Sequence, residues 1–309
     1  MLAALAVNLA TAQAQEVSFS TGSAVETNAG LIDCGGRTRV SAVGEIVSED
    51  GIKRTVPAET RFLTAPKAAD LYNACDGEVP ESLALVDIDS IASIDAGGKE
   101  EFVAYIFADN YFEFFVAGNL IAVDPVPFTP FNSNIIKFTA DRPVSLAVMG
   151  VDWEENLALG SEKGRGSAYS PGDACIVMYI QNAEGETVAI TDSSWRAQTF
   201  YTSPIKDRSC LVINGQTRDS SACDTSSASD GSDFSAAFWD IPENWMRPDF
   251  DDTQWPKAVT YTNETVGVNN KPGYTNFTNV FDASDMDASF IWSSNLILDN
   301  LVLLRSTIE

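Results

Sequence analysis

The chain has 309 residues, 45% of them hydrophobic, with 44 acidic side chains against 19 basic ones and a net charge of −25. It contains no histidine, which excludes Ser-His-Asp and Cys-His hydrolases, His-ligated zinc enzymes and H-E-x-x-H proteases. So acidic a chain is repelled by nucleic acid and by anionic membrane surfaces, and neither is expected as a partner.

Residues 1–15, MLAALAVNLATAQAQ, have the small apolar run and the Ala-Gln-Ala of a secretory signal peptide. They predict export: a secreted, extracellular or cell-surface protein, or a periplasmic one. No later run approaches the roughly 20 apolar residues that a membrane span needs. Residues 16–100 read as an N-terminal β-rich region. Within it, Val40–Val47 and Arg54–Leu63 predict strands, Ala65–Cys75 a short helix, and Ser82–Ser93 a strand entering the turn at Asp95. Residues 102–153 carry runs of aromatic and β-branched residues cut by Ala-Asp-Asn, Ala-Gly-Asn, a proline cluster and Ala-Asp-Arg-Pro. That alternation spells consecutive antiparallel strands. Residues 155–173 predict a charged, Gly-rich loop. Cys175–Gln181 and Thr187–Thr191 flank Asn182-Ala-Glu-Gly-Glu as a hairpin, and Ser194–Tyr201 is a further strand. Residues 207–236, rich in Ser and Asp, predict a long polar loop. Long amphipathic helical periodicity is absent, so the fold class is mostly β.

Five cysteines fit an exported chain. Cys210 with Cys223, and Cys34 with Cys75, are the candidate disulfides. Cys175, inside the apolar run ACIVMYI, predicts a buried free thiol.

Phe115–Phe131, FVAGNLIAVDPVPFTPF, resembles the strand-turn-strand of galactose-binding-like β-sandwiches appended to many glycoside hydrolases, with Ala117 where Asn usually precedes the glycine. Phe250–Pro256, FDDTQWP, resembles their F-D-D-S-x-W signature. Phe290–Trp292 and Val302–Arg305 resemble their paired W-I-W and v-x-f-R strands. The order is reversed here, which implies either a permuted single jelly-roll sandwich over residues 101–309 or two incomplete ones. The same stretch is similar to uncharacterised secreted proteins that can carry a YHYH domain, through Ala108–Asn110, Asp124–Asn132, Asp152–Glu154 and Phe250–Trp255. Without histidine the YHYH motif itself is absent. The family implies an extracellular β protein and supplies no activity.

Several functions are compatible with these residues. The leading expectation is a non-catalytic carbohydrate-binding or cell-surface module. A sugar offers CH patches and hydroxyls together, so its site pairs aromatic faces with polar groups. Trp153 with Glu154, Trp195 with Arg196, and Tyr201 are the candidate ligand residues, and Trp239 and Trp245 lie in an irregular segment. The alternative is a structural protein assembling into an extracellular matrix, layer or filament. A third reading is a carboxylate-based glycosidase drawing on Asp109, Glu113, Asp152, Glu154 or Glu155. No nucleophile elbow, P-loop or dinucleotide fingerprint is present. Asp249, Asp251 and Asp252, and Asp282, Asp285 and Asp287, cluster hard oxygen ligands suited to a structural calcium. In the related sandwiches the Asp and Trp of F-D-D-S-x-W mostly turn and pack the chain, and the resemblance favours that role for Asp251, Asp252 and Trp255. Asn263-Glu-Thr and Asn276-Phe-Thr fit the N-glycosylation pattern.

Overall fold

The computed structural model describes residues 16–36, 38–162, 169–226, 231–283 and 288–309. The predicted signal peptide, residues 1–15, lies outside them, as do Asp285 and Asp287. In chain order the strands are β1 (Ser18–Thr21), β2 (Val25–Ile32), β3 (Ser41–Val47), β4 (Lys53–Val56), β5 (Ala69–Tyr72), β6 (Ser93–Asp95) and β7 (Glu100–Asp109). They continue with β8 (Tyr111–Val116), β9 (Asn119–Val123), β10 (Ser133–Ala140), β11 (Val144–Val151), β12 (Cys175–Asn182), β13 (Thr187–Ile190) and β14 (Arg196–Ile205). The last are β15 (Val212–Asn214), β16 (Thr217–Asp219), β17 (Ser235–Phe238), β18 (Val259–Tyr261), β19 (Phe290–Trp292) and β20 (Asp299–Ile308). Three single-turn helices, α1 (Asn263–Val266), α2 (Pro272–Thr275) and α3 (Thr278–Phe281), link β18 to the segment before β19.

The fold is mostly β, as its patterning predicts. A seven-stranded sheet has the order β1-β17-β14-β20-β11-β8-β9, and an eight-stranded sheet runs β18-β19-β12-β7-β10-β5, with β13 beside β12 and β6 beside β10. Pairing is antiparallel except between β6 and β10. The two sheets share one core: Phe112, Phe114, Leu146 and Val148 from the first meet Phe107, Ile136, Phe138 and Ile176 from the second. This is a β-sandwich. The last strand, β20, sits at the centre of its sheet and pairs with β11 from Val144↔Ile308 to Val151↔Leu301. The C-terminal segment thus supplies the partner of the segment before Trp153, in one sandwich. The FIW and LLR runs do not pair with each other: β19 bonds β12 and β18 in one sheet, while β20 lies in the other.

The seven-stranded sheet is buried on both faces. Tyr111, Phe115, Met149, Val151, Leu301 and Leu303 point away from the sandwich core into a second one. That second core is roofed by Val56, Phe62, Leu157, Trp239, Trp245 and Trp255. Burial on both sides explains why YFEFFV and VSLAVMGV are nearly continuous apolar runs, broken only by Glu113 and by Ser145.

Residues 16–100 do not stand apart from this sandwich. β1 bonds β17, and β5 and β6 bond β10, while β2, β3 and β4 form their own sheet. Three local expectations are corrected. Residues 65–75 hold a strand instead of a helix, because Ala69–Tyr72 takes the free edge of β10 and strand pairing outweighs local helix propensity. Residues 82–93 form two 3₁₀ turns, Leu83–Leu85 and Ile88–Ser90, before β6 begins. β4 stops at Val56 because Pro57 has no N–H to offer a ladder. The hairpin of β12 and β13 forms as expected. Both expected disulfides are present, Cys34–Cys75 and Cys210–Cys223, and Cys175 is a buried free thiol. Within the polar 207–236 stretch, the β15–β16 hairpin lies between Cys210 and Cys223, which are joined by a disulfide.

Candidate functional site

The Phe128-Thr129-Pro130-Phe131 run leaves the sandwich between β9 and β10 and forms one wall of a cleft of about 540 Å³. The opposite walls come from Thr38 and Arg39, from Tyr72 and Ala74 after β5, and from Asn270, Lys271 and Pro272 at the start of α2. The Cys34–Cys75 bridge ties Cys34 to the residue next to Ala74 in the cleft wall. Arg39 N donates to Thr129 Oγ1 (3.0 Å), and the Arg39 guanidinium lies 4.6 Å over the Phe128 ring. Lys271 Nζ lies 3.8 Å over the Phe131 ring. Asp124 anchors the base of the wall: its Oδ1 accepts from Val126 N (2.8 Å) and Asn132 Nδ2 (2.8 Å).

Both cations of the cleft are backed by carboxylates at one end of the sandwich. Lys271 Nζ donates to Asp109 Oδ2 (2.6 Å), and Arg39 pairs with Glu162 (2.5 Å) and Glu155 (3.9 Å). Asp109, at the end of β7, also accepts from Asn110 Nδ2 (2.9 Å). Behind Asp109 lie Asp152 and Glu154, just past β11, and Asp173, just before β12. Glu154 Oε1 accepts from Gly172 N (2.9 Å), and a Cβ on Gly172 would stand 2.5 Å from that oxygen and displace the carboxyl. Burial, with Lys271 as the main opposing influence, pushes Asp109 up to about 7. Burial pushes Asp152 and Glu154 well above the usual carboxylate range, helped by the Glu154 charge at Asp152 and by the Glu162 charge at Glu154. At neutral pH these are reluctant charges.

The aromatic residues expected to stack on a sugar lie elsewhere. All six tryptophans are buried, Trp153 at 0% exposure and Trp195 at 1%. Trp153 Nε1 donates to Ala42 O (2.9 Å) and Trp195 Nε1 to Ile190 O (2.9 Å), so each indole has an apolar bed and a satisfied tip. Tyr201 stacks on Phe238 at 4.8 Å, and Arg196 Nη1 donates to Trp255 O (3.0 Å). Glu154 belongs to the carboxylate group just described. None of these rings offers a face to solvent. The aromatic faces at the cleft are Tyr72 and Phe131, and residue type and spacing did not mark either as a ligand residue.

The described residues of the two expected calcium clusters, Asp249, Asp251, Asp252 and Asp282, make other contacts. Asp252 pairs with Arg305 (2.7 Å), whose guanidinium further donates to Trp245 O and to Arg247 O (3.1 Å). FDDTQWP and the LLR tail are therefore two halves of one buried clasp. Asp251 accepts from Thr253 N (3.1 Å) and Thr253 Oγ1 (2.6 Å), and Asp249 pairs with Arg247 (3.3 Å) at the surface. Asp282 accepts from Asn263 Nδ2 (3.2 Å) and Tyr274 Oη. Among the described residues, no three Cys, Asp or Glu side chains form a ready-made metal centre. Of the remaining carboxylates, Glu113 is fully buried and receives Arg61 Nη1 (2.9 Å) and Tyr111 Oη (3.2 Å). Among the described residues no helix is long and apolar enough to cross a membrane. Comparison with known protein families, curated proteins and solved structures finds no match to this chain.

Proposed function

We propose that this chain is an exported, non-catalytic carbohydrate-binding module of galactose-binding-like type, and that its ligand occupies the cleft between the FTPF wall and Lys271. The observation that carries the reading is the composition of that cleft. Tyr72, Phe131, Pro130 and Pro272 offer apolar faces, while Thr38, Thr129 and Asn270 offer hydroxyl and amide groups beside them. This is the pairing a saccharide needs, in a volume suited to a small ligand. No carboxylate is among the described lining residues, whereas glycoside hydrolysis requires two flanking the scissile bond. Binding without cleavage is the chemistry this lining supports. Two disulfides suit an exported protein.

The test is an array of neutral, uronic and sulfated glycans, followed by calorimetry on the best binder. Tyr72→Ala and Asn270→Ala should each weaken binding at least about tenfold, the loss of one stacking or hydrogen-bonding contact, with an unchanged circular dichroism spectrum. A folded wild-type protein that binds none of these classes would overturn the proposal.

A further inference from the structure

Three buried oxygens at the carboxylate end of the sandwich have no hydrogen-bond donor: Asp152 Oδ2, Glu154 Oε2 and Asn300 Oδ1. Buried acceptors of this kind are rare, because nearly all find a partner. Here they converge from two neighbouring strands. Asp152 N donates to Asn300 O (2.9 Å), which extends the Val151↔Leu301 register of β11 and β20 by one residue. Residues opposite each other on an antiparallel pair share a face, so the Asp152 and Asn300 side chains lie side by side. Glu154, two residues on, brings its carboxyl against that of Asp152. Asp152 is 2% exposed and Glu154 4%.

The surrounding charge has the same sign. Asp109, Glu162 and Asp173 face this pair. Among the described residues the nearby cations are Arg39 and Lys271, and both already serve Glu162 and Asp109. Among the described residues neither Asp152 nor Glu154 has an ion-pair partner of its own; Glu154 receives only Gly172 N at its other oxygen and the more distant pull of Arg39. Two carboxylate oxygens and an amide oxygen, without imidazole or thiolate, form a hard donor set.

We infer that Asp152, Glu154 and Asn300 bind a calcium-class divalent cation, which joins the ends of β11 and β20 to the Gly172–Asp173 turn before β12. Water and backbone carbonyls complete its coordination. Calcium is favoured over magnesium because the three oxygens come from an irregular strand end, whereas magnesium demands a near-octahedral set. The site is separate from the cleft residues that carry the sugar-binding proposal, and neither depends on the other.

The experiment is thermal unfolding and calorimetry of chelator-stripped protein, titrated with calcium and with magnesium at physiological ionic strength. That salt screens the acidic surface. Calcium is expected to bind at one site and to raise the midpoint by about 5 °C at concentrations on the order of a hundred times Kd. Magnesium is expected to do less. Glu154→Gln, and separately Asp152→Asn, should weaken calcium binding at least about tenfold. The surface pair Asp249→Asn/Asp251→Asn and the cleft variant Tyr72→Ala should leave it unchanged. The inference is overturned if the stripped wild-type protein shows no response to calcium, as a pair sharing one proton would. It is also overturned if Glu154→Gln and Asp152→Asn respond as the wild type does, or if the surface pair abolishes binding.

Discussion

Asp124→Asn tests the electrostatics of the cleft wall. Asp124 is fully buried at the end of β9, where it holds the 124–132 loop through Val126 N and Asn132 Nδ2. Its Oδ2 has no partner. Burial lifts its pKa from 3.8 to about 8; the two hydrogen bonds and Lys67 oppose the shift, and Asp70 adds to it. Between these values the folded protein keeps a proton that the unfolded chain has lost. The stabilising contribution is therefore complete below pH 3.8 and is lost as pH rises toward 8. The slope for one such group is about 1.4 kcal/mol per pH unit, or about 3 kcal/mol between pH 5 and pH 7. This sign is opposite to that of a salt-bridged carboxylate. Asparagine keeps the Oδ1 acceptor and does not titrate. Urea unfolding followed by tryptophan fluorescence at pH 5, 6 and 7, without divalent cations, should show the wild type losing about 3 kcal/mol more than Asp124→Asn across that range. The comparison cancels every other titrating group common to both proteins. Parallel pH dependences, with a constant difference between the two, would refute the assignment of a buried proton to Asp124.

Other elements of the fold make further predictions. Asp252→Ala strips the buried Arg305 guanidinium of its counter-charge and should cost about 3 kcal/mol in urea unfolding, whereas a loss under about 1 kcal/mol would mean that the clasp is incidental. Gly150→Ala would place a Cβ 2.5 Å from Trp292 Cζ3 and 2.7 Å from its Cη2, in a core with no room to shift a ring. A cost of about 1–3 kcal/mol should appear as a lowered thermal midpoint. Replacing the cysteines pairwise with serine should cost about 3 kcal/mol for the Cys210–Cys223 bridge, which closes 13 residues, and about 4 kcal/mol for Cys34–Cys75, which closes 41. Of the two, only the Cys34–Cys75 replacement should also impair ligand binding, because Cys75 adjoins the lining residue Ala74.

The local signals legible in the chain were those whose physics is local. Turn residues at Ala117-Gly118 and Asn182–Gly185 cut the aromatic runs into hairpins, and the structure places β8–β9 and β12–β13 there. The polar loop between Cys210 and Cys223, and the shared N-terminal region of Cys34 and Cys75, pointed to both disulfides. The FDDTQWP and LLR segments stood out as motifs, but only the fold showed that Asp252 and Arg305 of these segments form one clasp.

Composition and local pattern thus determined the mostly-β class, the hairpins and the cysteine pairs, since strand and turn preferences act over a few residues. Tertiary structure decided the rest. With both faces of the seven-stranded sheet covered, the period-two signal that separates inward from outward residues disappears, and Trp153 or Trp195 cannot be told from a surface ring. Likewise, Asp152, Glu154 and Asn300 meet because β11 and β20 pair across a long stretch of chain, and Tyr72 meets Phe131 and Lys271 because β5 joins the edge of β10. Contacts between distant segments depend on register and on which face each strand presents, and a linear pattern records neither.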